Sequence, residues 1–290
     1  MTAHCARIKR ARPLLGTLVE IELDGTHESL LHRAAADAFD AVERVHRLMS
    51  FHSETSDITR LNRRAHCVPV EVDPETWKVL ELAGRVSQAT DGVFDVTIGG
   101  SMMERNALPR MTTGSLDPAA CFRDIELLPR NRVFFRRALA IDLGGIAKGF
   151  AIDCAVDVLR AYEEMSGSVN AGGDLRVFGD KAVTVQIRDP DHPSQVGAIA
   201  SLHNAALATS ARYSSSCGLA ASGVILDPRT PAVPRRLRSA SVRAATCVLA
   251  DALTKAVYLM NENAGSVLSQ FRADGFLLSN GGLSAIGGNS

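Results

Sequence analysis

The stretch "IDLGGIAKGFAIDCAVDVLR", residues 141–160, carries the strongest structural signal in the chain. An apolar strand pattern runs into two glycines, and a helical pattern begins at once. Glycine lets the backbone approach a ligand closely, and the first turn of a helix offers free N–H groups that suit phosphate. Lys148, in that first turn, could add a positive charge. The stretch predicts either a phosphate-binding turn or a tight strand–helix connection with a surface lysine; it is neither a Walker A nor a G-x-G-x-x-G pattern.

The patterns on both sides of this turn predict an α+β fold. Apolar residues at helical spacing predict long helices over 28–50 and 74–90, and β-branched alternation predicts a strand over 16–23. Because the strands do not alternate strictly with helices, mixed sheets packed with helices are favoured over a doubly wound sheet. We expect one large domain over 13–285, preceded by an N-terminal tail over 1–12.

Several shorter segments have weaker patterns. "DGVFDVTIGG" predicts a turn and a short strand, and residues 101–120 predict a loop. A hairpin of short strands is expected over 125–145, and a short helix is expected to end at Leu61. "VILDPRTP" predicts a strand that ends in an Asp-Pro turn, and "GFLLSN" is expected to be the last strand.

Composition narrows the class of protein. The 290 residues include 32 Lys and Arg and 32 Asp and Glu, so the net charge is zero and binding to nucleic acid through bulk charge is not expected. No segment has the length of a membrane span, and the N-terminus has no apolar run of signal-peptide length. The six cysteines form no C-x-x-C pair, which is typical of reduced thiols and favours a cytoplasmic location.

Two further segments carry groups that suit a nucleotide. In "NAGGDLRVFG", Gly172 and Gly173 interrupt a strand, which predicts a bulge or a close backbone approach, and Asp174 could accept a hydrogen bond from a ligand. In "LATSARY", Thr209 and Ser210 could hold phosphates and a tyrosine could stack on a flat ring. An exposed aspartate at a bulge, and a polar turn with a core tyrosine, remain the alternatives.

The segment "CVLADALTKAVYLM", residues 247–260, places Asp251 and Lys255 one helical turn apart. Such a pair is often a surface ion pair of a few tenths of a kcal/mol. The neighbouring residues are nearly all apolar and leave little solvated face, so the pair can also belong to a site.

Taken together and in order, the motifs resemble the FAD:protein FMN transferase (ApbE) family. The matching stretches span most of the chain and read "LLGTLVEIEL", "MSFHSETSDITRLN", "DGVFDVT", "IDLGGIAKGFAID", "VNAGGDLRVFG", "IRDP", "ALATSARY", "ILDPRT" and "SVRAATCVLADALTKA". The resemblance implies an α+β domain with a T-fold-like core. It also implies that the protein binds FAD, cuts its pyrophosphate and moves FMN to a Thr or Ser hydroxyl of an acceptor flavoprotein, releasing AMP with help from Mg²⁺.

The resemblance also assigns roles to residues. Asp251 and Lys255 occupy the catalytic positions. A cation would be held by Asp251 and a backbone carbonyl near Ala147, with help from Thr254. FAD would be bound by Met49, Ser50, Asn62, Gly144, Gly145, Ala147, Lys148, Gly172, Gly173, Asp174, Thr209, Ser210, Tyr213, Asp227 and Thr230.

Three positions depart from the pattern that the family commonly has. Val224 replaces a histidine that is the candidate base, Pro231 replaces a glycine, and Lys255 replaces a threonine at the cation site. Lys255 could therefore take the place of Mg²⁺ in an FMN transferase. The alternatives are a non-catalytic flavin-binding homologue and an FAD pyrophosphatase that gives FMN and AMP.

Overall fold

The computed structural model describes residues 6–110, 114–188, 196–211, 225–229, 239–279 and 282–287. Its strands are β1 (Ala6–Leu14), β2 (Thr17–Gly25), β3 (Val70–Glu71), β4 (Ile125–Leu128), β5 (Arg132–Phe135), β6 (Ser166–Ala171), β7 (Asp174–Phe178), β8 (Val183–Arg188), β9 (Val196–Leu202), β10 (Ala206–Ala211), β11 (Ser239–Ala244), β12 (Asp274–Ser279) and β13 (Gly282–Ile286). Its α-helices are α1 (Glu28–Met49), α2 (Asp57–Arg64), α3 (Pro74–Ala89), α4 (Gly99–Glu104), α5 (Ala147–Arg160), α6 (Cys247–Met260) and α7 (Gly265–Gln270).

An antiparallel sheet of eight strands forms the centre of the molecule, in the order β1-β2-β6-β7-β10-β11-β12-β13. Helices α5 and α6 pack beside each other against this sheet, and α1 packs on α5. A three-stranded sheet, β3-β5-β4, and a β8-β9 hairpin complete the topology. The expected mixed α+β architecture is therefore confirmed, and its sheets are antiparallel. None of the helices in the described residues is both long enough and apolar enough to cross a membrane.

The apolar stripe of α1 explains why this long segment is helical and where it packs. Its buried residues recur every three or four positions and are Leu31, Ala34, Ala35, Ala38, Phe39, Val42, Val45 and Met49. Helix α3 begins at Pro74 after Asp73, whose side chain accepts a hydrogen bond from the Glu75 N–H at 2.9 Å. Both helices match the ranges expected from periodicity.

The prediction that residues 1–12 form a tail was wrong for residues 6–12, which belong to the edge strand β1. This strand pairs with β2 along its whole length, from Ala6 opposite Gly25 to Leu14 opposite Thr17. Only Ile8 is buried, so the segment lacks the apolar alternation that reveals most strands. Cross-strand ion pairs replace it: Arg7 contacts Glu22 at 2.9 Å, and Lys9 contacts Glu20 at 2.8 Å and Glu22 at 2.9 Å. We call Arg7, Lys9, Glu20 and Glu22 the edge ladder.

Of the two structures expected at Gly172 and Gly173, the bulge is wrong and the close backbone approach is confirmed. They are the two-residue turn of the β6–β7 hairpin, in which Ala171 pairs with Asp174. Their φ angles of 64° and 104° lie in the region that favours glycine. A Cβ on Gly172 would lie 2.8 Å from Thr17 Oγ1, so the turn also packs closely on β2.

Four smaller expectations also differ from the structure. Residues 99–104 form helix α4 and not a strand or loop, and Ile98 makes only an isolated bridge to Ala140. Helix α2 continues to Arg64, and β13 follows the strand that was expected to be last. Residues 225–227 are not a strand, although a turn follows at 228–229 as expected. The 125–145 hairpin is confirmed as β4 and β5.

Candidate active site

The first turns of α5 and α6 lie in close contact, and Gly149 permits this approach. A Cβ on Gly149 would lie 2.8 Å from the Cβ of Asp251, and closer still to the carbonyl oxygen of Cys247. The backbone N–H of Gly149 donates to Asp251 Oδ2 at 3.0 Å. Asp251 therefore satisfies one of the free N–H groups at the start of α5, although it belongs to the neighbouring helix.

Two lysines and two aspartates meet at this contact, and we call Lys148, Asp174, Asp251 and Lys255 the interhelical cluster. Lys148 Nζ donates to Asp174 and also lies 3.3 Å from Asp251 Oδ2. Lys255 Nζ donates to the Asp251 carboxylate and, at 2.8 Å, to the Asp251 backbone carbonyl. The Asp251 side chain is 0 % exposed, whereas Lys148 is 30 % and Lys255 21 % exposed. The two lysine side chains thus carry most of the exposed surface that the cluster retains.

The charges in the cluster shift the pKa values of its members. Burial acts to raise the pKa of Asp251, but Lys148 and Lys255 outweigh burial and lower it to about 2. Burial raises the pKa of Asp174, and its ion pair with Lys148 only partly opposes this rise. Burial disfavours the charged form of Lys148, yet attraction to both carboxylates is stronger and raises its pKa above the ordinary value. Asp251 is consequently the firmly ionised carboxylate of the site.

Thr209 and Ser210 on β10 connect to the cluster through hydrogen bonds within the protein. Ser210 Oγ lies 2.7 Å from Thr254 Oγ1, and the Thr254 hydroxyl donates to the Asp251 carbonyl at 2.7 Å. The backbone N–H of Thr209 donates to Asp174 Oδ1 at 3.3 Å, and its hydroxyl lies 2.8 Å from Ser241 Oγ. The structure therefore brings motifs from distant parts of the sequence into one site.

The glycine turn before α5 lies beside Lys255. A Cβ on Gly145 would lie 3.5 Å from Lys255 Cε, and Gly144 is exposed with its N–H donating to Asp142 Oδ2 at 3.1 Å. Burial raises the pKa of Asp142 above its ordinary value. Ala147 begins α5, and its N–H donates to the Leu143 carbonyl at 2.8 Å.

Asn62 holds this turn in place from the other side. Its amide nitrogen donates to the Ile141 carbonyl at 2.9 Å, and its amide oxygen accepts from the Ile141 N–H at 2.8 Å. Asn62 is buried, and its amide makes the same two hydrogen bonds to the Ile141 backbone that a residue of a neighbouring β-strand would make. Its position therefore explains how the chain enters the glycine turn.

The other predicted ligand-binding residues lie in varied surroundings. Met49 is buried at the end of α1, and Ser50 Oγ accepts from the His52 N–H at 3.2 Å. Asp227 accepts hydrogen bonds from Arg229, which contacts both of its oxygens at 3.0 Å. Tyr213 and Thr230 lie outside the described residues, as do the departures at 224 and 231.

Sequence reasoning missed Asp153, which sets the start of α6. The Asp153 carboxylate accepts from the N–H groups of Cys247 and Val248, each at 2.8 Å, and from Arg176 at 2.7 Å. Thr246, at the usual capping position, makes no side-chain cap bond. The available signal was an aspartate within an apolar helical run, where a charged side chain is ordinarily expected to face solvent. It is instead buried and caps the helix that carries Asp251 and Lys255.

The residues at Asp251 do not fit a divalent cation. The carboxylate already accepts from two ammonium groups and a backbone N–H, and the Asp251 carbonyl accepts from Lys255 and Thr254. A dication placed ~4 Å from an ammonium group would be repelled by about 8 kcal/mol at an effective dielectric constant near 20. Within the described residues, no group of three or more His, Cys, Asp or Glu side chains could hold a metal ion.

The glycine turn before α5 and the two partly exposed lysines beside it, on an α+β scaffold, form a candidate anion-binding site. A model described as "ApbE family" matches residues 15–276, which is most of the chain. The chain belongs to the ApbE family, so the resemblance drawn from its motifs is confirmed.

Similar proteins agree with this assignment. An FAD:protein FMN transferase of Rhodobacter capsulatus is 29 % identical over 280 residues, covering 90 % of this chain and 53 % of that protein. This chain therefore spans about half the length of that relative. A protein of the same name from Treponema pallidum is 26 % identical, covering 93 % of this chain and 83 % of its own. The solved ApbE protein of Thermotoga maritima superposes with a TM-score of 0.85 at 26 % identity, covering 97 % of each chain.

Proposed function

We propose that the protein is an FAD:protein FMN transferase that holds the FAD pyrophosphate between the Gly144–Gly145 turn and the interhelical cluster. The observation that carries this proposal is the pair of ammonium groups, Lys148 and Lys255, beside an exposed glycine turn. The names of the relatives supply the reaction. A pyrophosphate diester carries two negative charges, and each lysine ammonium at its binding site can offer it a charge-assisted hydrogen bond.

The proposed reaction is a phosphoryl transfer. A Thr or Ser hydroxyl of the acceptor protein attacks the phosphorus on the flavin side of FAD. The new P–O bond joins FMN to the protein, the P–O bond to AMP breaks, AMP leaves as a phosphate monoester, and the hydroxyl proton is released. Such a transfer needs positioning and stabilisation of charge more than covalent help from the enzyme. Each ammonium at ~4 Å from a phosphate oxygen contributes about 4 kcal/mol of attraction at an effective dielectric constant near 20.

The remaining predicted residues have a place in this proposal. Gly172, Gly173 and Asp174 form the turn and the strand start beside Lys148, while Thr209 and Ser210 present polar groups on β10. Met49, Ser50, Asn62, Tyr213, Asp227 and Thr230 stay predictions from the resemblance as FAD-contacting residues. The donor set at Asp251 does not favour Mg²⁺, so no step is assigned to it.

The acceptor and the compartment are also proposals. An acceptor flavoprotein with a Thr or Ser target follows from the reaction, and the cytoplasm remains the predicted location. Support for the latter comes from Cys67, Cys121, Cys154 and Cys247, which are unpaired. Fractionating cells and labelling free thiols in the recovered protein would check this location.

The test is the product profile of FAD. The protein is incubated with FAD and a flavinylation-target protein, with Mg²⁺ or with EDTA, and the products are separated by chromatography and mass spectrometry. We expect AMP and an acceptor that carries covalent FMN, and we expect neither from a Lys148→Met variant. Free FMN plus AMP would instead identify a pyrophosphatase, and bound but unchanged FAD would identify a flavin-binding homologue; either result would contradict the proposal.

A further inference from the structure

The ammonium group of Lys255 occupies the inner side of the candidate site, between Asp251 and the glycine turn. It is held by two acceptors of the same residue, the Asp251 carboxylate and the Asp251 carbonyl. Its methylene stem passes beside Gly145, where an added Cβ would be 3.5 Å from Lys255 Cε. The positive charge of Lys255 is thus held beside the backbone of the Gly144–Gly145 turn.

The hydrogen-bonding capacity of Lys255 is not exhausted by these contacts. A lysine ammonium has three N–H donors, and among the described residues two acceptors are used, both on Asp251. The side chain is 21 % exposed, so the remaining donor can meet a ligand without displacing Asp251. This orientation is what a charged anchor for a phosphate oxygen requires.

The charges of the interhelical cluster already balance. Two ammonium groups face two carboxylates, of which Asp251 is fully buried and contacts both lysines. A dication at Asp251 would lie beside two ammonium groups and would separate Lys255 from its partner. A pyrophosphate instead needs only the lysine donors that the described contacts leave unused, and it displaces no carboxylate.

We infer that Lys255 is a built-in cation, which binds the pyrophosphate of FAD in place of a divalent metal ion and makes FAD binding by this chain independent of Mg²⁺. This inference rests on the proposed function, because it takes FAD as the ligand. It assigns Lys148 and Lys255 as the two positive charges that hold the diphosphate, with Asp251 as the group that positions Lys255.

The first experiment measures FAD affinity by flavin fluorescence, in excess EDTA and in excess Mg²⁺. The full chain should bind FAD equally in both, within about twofold. Lys255→Met removes the charge at nearly constant length and should weaken binding in EDTA by about tenfold or more, because a charge-assisted hydrogen bond is lost. Lys255→Arg keeps the charge and should retain most of the affinity.

A matched control is available at Lys181, which contacts Asp24 at 3.2 Å and is 56 % exposed. Asp24 lies at the opposite end of β2 from Thr17, the residue that contacts the Gly172 turn. Lys181→Met also removes one lysine from a lysine–aspartate pair, but we expect FAD affinity to stay unchanged. Thermal unfolding of all variants checks that each is folded. If Lys255→Met does not fold, the FAD affinity of Lys255→Arg in EDTA still tests the inference.

The second experiment measures metal binding directly, by the electron paramagnetic resonance signal of free Mn²⁺. The unmodified chain should bind Mn²⁺ no better than Lys181→Met does. Lys255→Thr removes the Lys255 contacts to the Asp251 carboxylate and carbonyl and supplies a hydroxyl, so it should gain Mn²⁺ binding and a Mg²⁺-dependent rise in FAD affinity of about tenfold.

The outcomes separate this inference from the proposed function. FAD binding that requires Mg²⁺ in the unmodified chain, or that is unaffected by Lys255→Met in EDTA, overturns the inference and leaves the transferase proposal standing. Metal-independent binding through Lys255 without FMN transfer supports the inference and overturns the proposed activity. Absence of FAD binding under every condition overturns both.

Discussion

The interhelical cluster and the edge ladder use the same residue types in opposite surroundings. In the edge ladder, Lys9 contacts Glu20 and Glu22 on the neighbouring strand, and its side chain is 55 % exposed. In the interhelical cluster, Lys255 and Lys148 contact Asp251, which has no exposed surface. Water screens the first set of charges but not the second.

The difference in solvent exposure indicates a different role for each group of charges. Exposed ion pairs contribute ~0–1 kcal/mol, and here they mark an edge strand that a charged surface protects from pairing with other chains. Buried ion pairs often stabilise less than apolar residues of the same size would, so a fold seldom gains by keeping them. We therefore expect the four charges gathered between α5, α6 and β7 to serve a ligand and not stability.

The largest expected effect is the loss of Asp251. Asp251→Ala would leave Lys255 with only the backbone carbonyl and would remove the partner of the Gly149 N–H. Removing one member of a buried pair costs about 3–5 kcal/mol, so urea unfolding should show a loss of this size. Glu22→Ala in the edge ladder is the matched control and should cost less than about 1 kcal/mol. Equal losses in the two variants would mean that burial does not separate the two regions.

Asp153→Ala tests the cap at the N-terminus of α6 and should lower the free energy of unfolding by about 3 kcal/mol. The variant leaves the buried Arg176 with only the exposed Asp157, 3.8 Å away, and removes the acceptor of the Cys247 and Val248 N–H groups. Since α6 carries Asp251 and Lys255, FAD affinity should fall as well. Double substitution with Arg176→Met removes the unpaired charge and should restore part of the stability. No recovery would show that the helix cap, and not the ion pair, is the main contribution.

Gly149→Ala tests the close contact between α5 and α6, and should cost about 2 kcal/mol because the new methyl group meets the α6 backbone. The control is Gly84→Ala in α3, where an added Cβ meets nothing within 4 Å. That change should stabilise the protein by about 0.5–1 kcal/mol, since alanine favours a helix interior. Chemical denaturation of both variants measures the contrast, and a stabilised Gly149→Ala would show that the helices can separate at no cost.

The sequence predicted the long helices and the glycine turn better than it predicted the sheet edge and the contacts between helices. The helices α1, α3 and α5 were evident because their apolar residues repeat at helical spacing, and the glycine turn before α5 was evident from "LGG". Strand β1 was not predicted because Ile8 is its only buried residue, and α4 was not predicted because it begins with two glycines. The capping role of Asp153 was not predicted, because the sequence does not show which helix N-terminus a distant carboxylate will cap.

Acid should weaken the contribution of Asp251 to stability in a defined range. Its pKa is about 2 in the folded protein against an ordinary value of 3.8. A lowered pKa stabilises the folded state by about 2 kcal/mol above about pH 4, and this is lost as the pH falls towards 2. The difference in unfolding free energy between the unmodified chain and Asp251→Asn should therefore shrink over this range. A difference that stays constant from neutral pH to about pH 2 would contradict the lowered pKa.

The smallest effect is expected in the edge ladder, where a double-mutant cycle on Lys9 and Glu22 should give a coupling energy of ~0.2–1 kcal/mol. Lys9→Met and Glu22→Gln are the two single changes, and the coupling should fall towards zero in about 1 M salt because the Debye length is then near 3 Å. The same cycle on Lys255 and Asp251 should give a larger coupling that salt changes less, because Asp251 has no exposed surface and Lys255 is only 21 % exposed. If the coupling of Lys9 and Glu22 were as large and as insensitive to salt, the edge ladder would be a rigid structural element, and exposure alone would not distinguish a ligand site from a protected strand edge.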